Sequence, residues 1–276
     1  MKNKIGVFLL FIVVVVFALW PKKQNEPMLP VEEGETGIIL MGDSTIGNCK
    51  DETGIAAILE YLVQKPSYNC SVGGTCMASI NTVYKNDYFF DDFSVVHLCE
   101  TIANQDFRTL KVSAENLPLK KADLQEVILN LENVDLKKIE YVFLAQGLND
   151  YMAQVPPRVE GNATIYTYQG ALTKAIADLQ KANPNNMIVI LSPTYNVYMD
   201  EVKAGTRELT YSFFDYVSVC EEVAEEAGVE FINMYEVLGI DETNVETYCI
   251  YDHVHFNEEG RKLYASVLAE YIINHE

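Results

Sequence analysis

Gly37-Ile38-Ile39-Leu40-Met41-Gly42-Asp43-Ser44-Thr45 decides the fold. Five consecutive residues from Gly37 carry no helical period and are bounded by glycine. A short apolar run of this kind reads as a strand buried on both faces. Similar runs recur at Tyr141 to Ala145, Met187 to Leu191 and Val229 to Ile232, with a weaker one near Tyr68 to Val72. Between them the apolar spacing turns helical, at Gly54 to Val63, Ala122 to Leu131, Tyr168 to Lys181, Tyr211 to Ala227 and Glu258 to Ile273. Strand and helix in alternation imply an α/β domain with a parallel sheet covered on both faces. Asn257 is placed to cap the last helix, and Gly228 to stop the one ending at Ala227. The stretch from Ala78 to Asn116 fits the alternation poorly, apart from a helical face over Phe93 to Ile102. Within it, Asp87 to Asp92 is aromatic and acidic, and reads either as a packed surface loop or as part of a substrate rim.

In open α/β sheets a site forms beyond the carboxyl ends of the strands, so the residues following each apolar run are the ones to examine. The first run ends in Gly42-Asp43-Ser44-Thr45, the second leads to Gly73-Gly74-Thr75, and the third to Gly147-Leu148-Asn149-Asp150. Just before the last helix stands Tyr251-Asp252-His253-Val254-His255. A serine is a poor nucleophile at neutral pH. It needs a base within hydrogen-bond reach, and that base needs a carboxylate to fix its tautomer. His255 and Asp252, three residues apart, can supply both from one turn. An oxyanion then requires N–H donors, which Ser44, Gly74 and the Asn149 amide can provide. A rival reading joins His253, His255 and Asp252 as metal ligands, but it leaves the serine and asparagine blocks unexplained. His97 and His275 belong to no constellation.

These blocks together resemble the GDSL or SGNH hydrolases. Gly42-Asp43-Ser44, then Asn69 and Gly74 with four residues between them, then Gly147-x-Asn149-Asp150, then Asp252-x-x-His255 follow the family's order across residues 37 to 260. The resemblance implies a flavodoxin-like α/β/α sandwich with five parallel strands. It makes Ser44 the nucleophile, His255 the base and Asp252 its partner, and it assigns Gly74 and Asn149 to the oxyanion hole. Asp43 and Asp150 take structural roles, Asp150 by bracing its own turn. The second block is the loosest match, since Ser71 stands where the family often has glycine, and either Gly73 or Gly74 fits the donor position.

The chain has 40 acidic and 20 basic residues, a net charge of -20. All of that excess lies beyond residue 35, and no basic stripe interrupts it. An acidic surface repels phosphate backbones, so nucleic acid is not an expected partner. There is no Gly-x-Ser-x-Gly elbow, Walker loop or dinucleotide glycine pattern, and the chemistry needs no cofactor. Ile5 to Trp20 is an uninterrupted apolar run flanked by Lys2, Lys4, Lys22 and Lys23. As a helix it would be about 24 Å long. Residues 1–23 therefore read as a signal anchor or a cleaved signal peptide, residues 24–35 as a linker and residues 36–276 as the hydrolase domain, placed outside the cytosol. Membrane contact is expected through that apolar segment alone.

Six cysteines in an exported chain can form disulfides or remain buried thiols, and sequence does not choose between the two. The expected substrate is a small or glycan ester, with an acetyl or other short acyl group. Lipase, lysophospholipase, thioesterase and acyltransferase activities share the chemistry, and a non-catalytic glycan-binding protein would share the fold. Tyr151, Tyr195, Asn196 and Tyr198 follow strand ends and are candidate substrate contacts.

Overall fold

A computed structural model describes residues 30–80, 89–161 and 163–275. The apolar run from Ile5 to Trp20, the first half of the linker, and Asp87 with Tyr88 lie outside the described residues. Five strands, β1 (Gly37–Gly42), β2 (Ser67–Asn69), β3 (Ile139–Ala145), β4 (Met187–Leu191) and β5 (Glu230–Ile232), form one sheet in the order β2-β1-β3-β4-β5. Every pairing is parallel. The fold is the expected five-stranded α/β/α sandwich.

Alternation along the strands feeds two cores, because successive side chains leave opposite faces of a sheet. Ile39 and Met41 of β1, Val142 and Leu144 of β3, and Ile188 and Ile190 of β4 enter one core. Ile38 and Leu40, Tyr141 and Phe143, and Val189 and Leu191 enter the other. Each fully buried Ile or Leu contributes roughly 1.5–3 kcal/mol. Continuous apolar runs are therefore what a sheet with two covered faces demands.

The helices in chain order are α1 (Ser44–Gly47), α2 (Ile55–Val63), α3 (Val95–Asn104), α4 (Arg108–Glu115), α5 (Lys121–Asn133), α6 (Leu148–Met152), α7 (Tyr168–Ala182), α8 (Val197–Lys203), α9 (Phe213–Ala227), α10 (Met234–Leu238), α11 (Val245–Tyr248) and α12 (Glu258–His275). Apolar faces of α3, α5, α7 and α9 fill the first core. Those of α2, α10 and α12 fill the second. The expected helix ends hold: the Asn257 side chain accepts from Gly260 N at 3.0 Å, and Gly228 closes α9 in the left-handed region with φ of 65°.

The chain runs from β1 outward to β2 and then returns to the other side of β1 as β3. That reversal opens a crevice beyond β1 and β3, where ligands of such sheets bind. The loops carrying Ser44 and Asn149 flank it.

In the irregular stretch, the described residues Asp91 and Asp92 turn inward. Asp91 is buried and accepts from Ser79 Oγ at 2.6 Å and Ile80 N at 2.7 Å. Asp92 accepts a hydrogen bond from the Ser113 hydroxyl. The six cysteines are free thiols, five of them buried, so no disulfide braces the site loops. Burial pushes the Cys70 and Cys220 thiols up to about 12, which makes them poor nucleophiles and poor partners for exchange.

Candidate active site

Ser44 opens α1 directly beyond β1. Asp43 caps this helix, its carboxylate accepting from Thr45 N at 2.8 Å. The first N–H groups of a helix have no intrahelical partner, so the Ser44 N–H is available as a donor. Burial pushes the Asp43 carboxyl up, and the Thr45 N–H opposes that rise. Asp43 is thus an anchor for the turn that carries Ser44.

Asp252, His253 and His255 lie in a loop that closes on itself through an isolated antiparallel bridge between Cys249 and Phe256. Ile250 N donates to the His255 carbonyl at 2.8 Å and His253 N to the Ile250 carbonyl at 2.9 Å. Asp252 Oδ1 accepts from the backbone N–H groups of Val254 (3.0 Å) and His255 (2.9 Å), while Oδ2 lies 2.7 Å from His255 Nδ1. An ionised carboxylate only accepts, so Nδ1 carries the proton and Nε2 keeps its lone pair. Nε2 lies 2.9 Å from Ser44 Oγ. Burial would raise the Asp252 carboxyl, but the His255 ring and the two N–H groups outweigh it and hold the group below its ordinary range. The result is a hydrogen-bonded chain from carboxylate to imidazole to hydroxyl, joined across 211 residues of sequence.

His253 adopts a left-handed φ of 54° within this turn. The strand geometry that would set it on the same side as His255 is therefore not formed. His97 lies 3.8 Å from Asp91 Oδ2 and 3.6 Å from Glu100 Oε2, and His275 bonds the Tyr271 carbonyl at 2.7 Å. Neither of these contacts belongs to the Asp252–His255–Ser44 chain.

The second and third blocks meet beside Ser44. Asn149 Nδ2 donates to the Thr75 carbonyl at 2.8 Å, which leaves its second amide hydrogen for another acceptor. Gly73 packs against Ser44: a methyl group placed there would lie 3.4 Å from Ser44 Cβ and 2.5 Å from Asn48 Oδ1. Gly74 has φ of +89°, a conformation that suits glycine. Asn69 is structural, its amide donating to the Ile46 carbonyl at 3.1 Å. Ser71, where the family often has glycine, is buried and donates to the Leu40 carbonyl at 3.3 Å.

Asp150 corrects one expectation. Its carboxylate does not brace its own turn but crosses to the second block, accepting from Met77 N at 2.8 Å and Ala78 N at 3.0 Å. It is fully buried, and burial pushes it up to about 7 against those two bonds.

Three of the candidate substrate contacts are corrected as well. Tyr151, 1% exposed, packs edge-on against Phe213 and Tyr216 at 5.8 Å. Tyr195, 4% exposed, donates its hydroxyl to Asp200. Asn196 is 0% exposed, and its amide donates to the Thr194 carbonyl at 3.2 Å. These residues pack the loops. Tyr198 stays half-buried with the Arg207 guanidinium 4.9 Å above its ring.

Sequence reasoning missed three supports. Arg261 Nε donates to the Thr53 carbonyl at 2.7 Å and its Nη1 to the Phe256 carbonyl at 2.9 Å, tying the histidine loop to the segment after α1. Thr75 receives the Asn149 amide, and Lys120 Nζ donates to the Gly73 carbonyl at 2.9 Å. None of the three carries a motif. Among the described residues, Tyr251, next to Asp252 in sequence, is 93% exposed.

Solved structures share the fold at low identity. A protein from Lactobacillus plantarum is 18% identical with a TM-score of 0.61, covering 89% of this chain and 100% of that one. The lipase/acylhydrolase from Enterococcus faecalis is 15% identical, TM-score 0.50, over 86% and 95% of the two chains. The salicylyl-acyltransferase SsfX3 from a tetracycline biosynthetic pathway is 13% identical with a TM-score of 0.55, covering 88% of this chain and 56% of that one. No curated protein matches the chain in sequence. The model of the GDSL-like lipase/acylhydrolase family matches residues 95–263, more than half of the chain, and takes in both the Gly147-x-Asn149-Asp150 and the Asp252-x-x-His255 blocks. The chain belongs to the GDSL-like lipase/acylhydrolase family.

Proposed function

We propose that the protein is an exported serine esterase that removes acetyl or other short acyl groups, with an acylated carbohydrate as its natural substrate. The observation that carries the reading is the chain Asp252–His255–Ser44, in which every donor has one acceptor of the right kind. Ser44 Oγ attacks the acyl carbon while His255 Nε2 takes the hydroxyl proton, and Asp252 stabilises the imidazolium. The negative oxygen of the tetrahedral intermediate is met by the N–H groups of Ser44 and Gly74 and by the second amide hydrogen of Asn149. His255 then protonates the departing alcohol. Water, deprotonated by the same imidazole, attacks the acyl-enzyme and releases the acid and the free serine.

The family supports ester chemistry in general, and the finer assignment rests on three features. The apolar N-terminal segment favours export. No long apolar stripe for a lipid tail is evident in the sequence. Tyr251, standing in solvent beside Asp252, offers a ring face on which a sugar can stack.

The test is hydrolysis of p-nitrophenyl esters from two to sixteen carbons, with Ser44→Ala in parallel. Serine-dependent activity confined to the short chains is expected. A long-chain optimum would replace this reading with a lipase, and product esterified to an added alcohol in place of free acid would replace it with an acyltransferase.

A further inference from the structure

The glycine turn of the second block has an orientation that something must hold. Thr75 N donates to the Val72 carbonyl at 3.3 Å, and Gly74, third in that turn, has φ of +89° while Gly73 does not share the positive sign. This is the pattern of a type II turn, in which the central peptide is flipped relative to type I. The central peptide here joins the Gly73 carbonyl to the Gly74 N–H. Because the unit is planar and trans, the two groups point in opposite directions. Whatever grips the carbonyl on one side aims the N–H on the other.

Two successive glycines impose almost no steric preference between the two orientations. A flip would put the Gly73 carbonyl oxygen where the Gly74 N–H now points. An electronegative atom would then face the oxyanion.

Lys120 is the group that grips the carbonyl. Its Nζ donates to Gly73 O at 2.9 Å and sits 4.2 Å above the Phe90 ring, so the ammonium is placed by both an acceptor and a π face. It lies 3.7 Å from where a Gly74 Cβ would be, as does the edge of the Phe90 ring. Its backbone position makes the contact more telling. Lys120 is the N-cap residue of α5, its side chain makes no capping bond, and a cation at a helix N-terminus opposes the macrodipole. Nothing in the helix rewards lysine at that position.

We infer that Lys120 is a positioning residue of the oxyanion hole, holding the Gly73–Gly74 peptide in the orientation that turns the Gly74 N–H toward the reacting carbonyl. The inference rests on the serine-esterase reading, in which Gly74 is a donor. Its ammonium also polarises the same amide, which strengthens the N–H as a donor.

The test uses the full chain with p-nitrophenyl acetate and compares Lys120→Met, Lys120→Arg and Lys121→Met, with Ser44 labelling by diisopropyl fluorophosphate read by mass spectrometry. Lys120→Met is expected to lower kcat about tenfold and to slow labelling by a similar factor, with KM within twofold and the melting temperature unmoved. Lys120→Arg, which keeps a cation, is expected to recover at least half of the wild-type kcat. Lys121→Met, on the neighbouring lysine that pairs with Glu115, is expected to match wild type. A kcat for Lys120→Met within twofold of wild type would overturn the inference, as would an arginine variant as slow as the methionine one, or a loss that appears in KM alone. A wild-type chain with neither serine-dependent turnover nor Ser44 labelling would overturn the esterase reading and this role with it. Failure of Lys120 alone leaves wild-type turnover and labelling intact.

Discussion

The loop after β1 and the loop after β4 leave the same edge of the sheet, and both carry hydroxyl and amide side chains. They end in opposite states. After β1, a capped single turn lifts Ser44 toward the imidazole 2.9 Å away. After β4, Tyr195 and Asn196 are withdrawn into the interior, the tyrosine on Asp200 and the asparagine on its own loop. The β4 loop does touch the loop that carries Asp252 and His255, but through backbone: Val197 N donates to the His253 carbonyl at 3.3 Å. One loop presents chemistry and the other supports the loop that presents it. Location at the carboxyl edge therefore marks where function gathers, while partners in space decide which polar groups are offered to a substrate.

The sharpest way to break this contrast is to remove the presented groups. Ser44→Ala or His255→Ala should lower kcat by about 10^4-fold to 10^6-fold with the fold intact by circular dichroism. Wild-type-like turnover in either variant would make the β1 loop a scaffold like the β4 loop. Asn149→Ala should cost about 100-fold to 1,000-fold in kcat, since it removes one oxyanion donor. A change confined to KM would reassign Asn149 to ground-state binding.

The next effect concerns stability. The buried Asp150 carboxyl, pushed up to about 7 from an ordinary 3.8, binds its proton more tightly in the folded chain than in the unfolded one. Its contribution to stability is therefore present at the acid end and is lost as pH rises from about 4 to about 7. Asp150→Asn should flatten that part of a melting-temperature profile, while costing one of the bonds from Met77 or Ala78. A profile as steep as the parent's would assign the slope to other groups. The smallest effect belongs to the β4 loop, where Tyr195→Phe should destabilise by about 1 kcal/mol and leave kcat within threefold. A larger loss of rate would make Tyr195 part of the site.

Sequence carried the sheet well because burial on both faces leaves a continuous apolar run, and β4 matches the expected residues Met187 to Leu191. The four blocks were legible for a similar reason: nucleophile, base and donors need fixed residue types at short local spacings. What sequence could not show was which way a polar side chain turns. Tyr151 reads identically whether it faces a sugar or, as here, Phe213 and Tyr216. Asp150 lies beside Asn149, yet the N–H donors its carboxylate accepts from are 72 and 73 residues away. The helix from Arg108 to Glu115 escaped because its buried face is only Leu110, Ser113 and Ala114, too sparse to set a period.

The distance between Ser44 and His255 has a consequence for biogenesis. Ser44 precedes His255 by 211 residues, and the histidine loop is anchored by Arg261 and followed by a helix whose Leu268 and Ile272 complete a core shared with α2. A nascent chain that has not yet reached residue 255 holds Ser44 without the imidazole that bonds it. Assembly of the Asp252–His255–Ser44 chain thus waits on α12, and a fragment stopped short of that helix lacks the Arg261 anchor of its histidine loop.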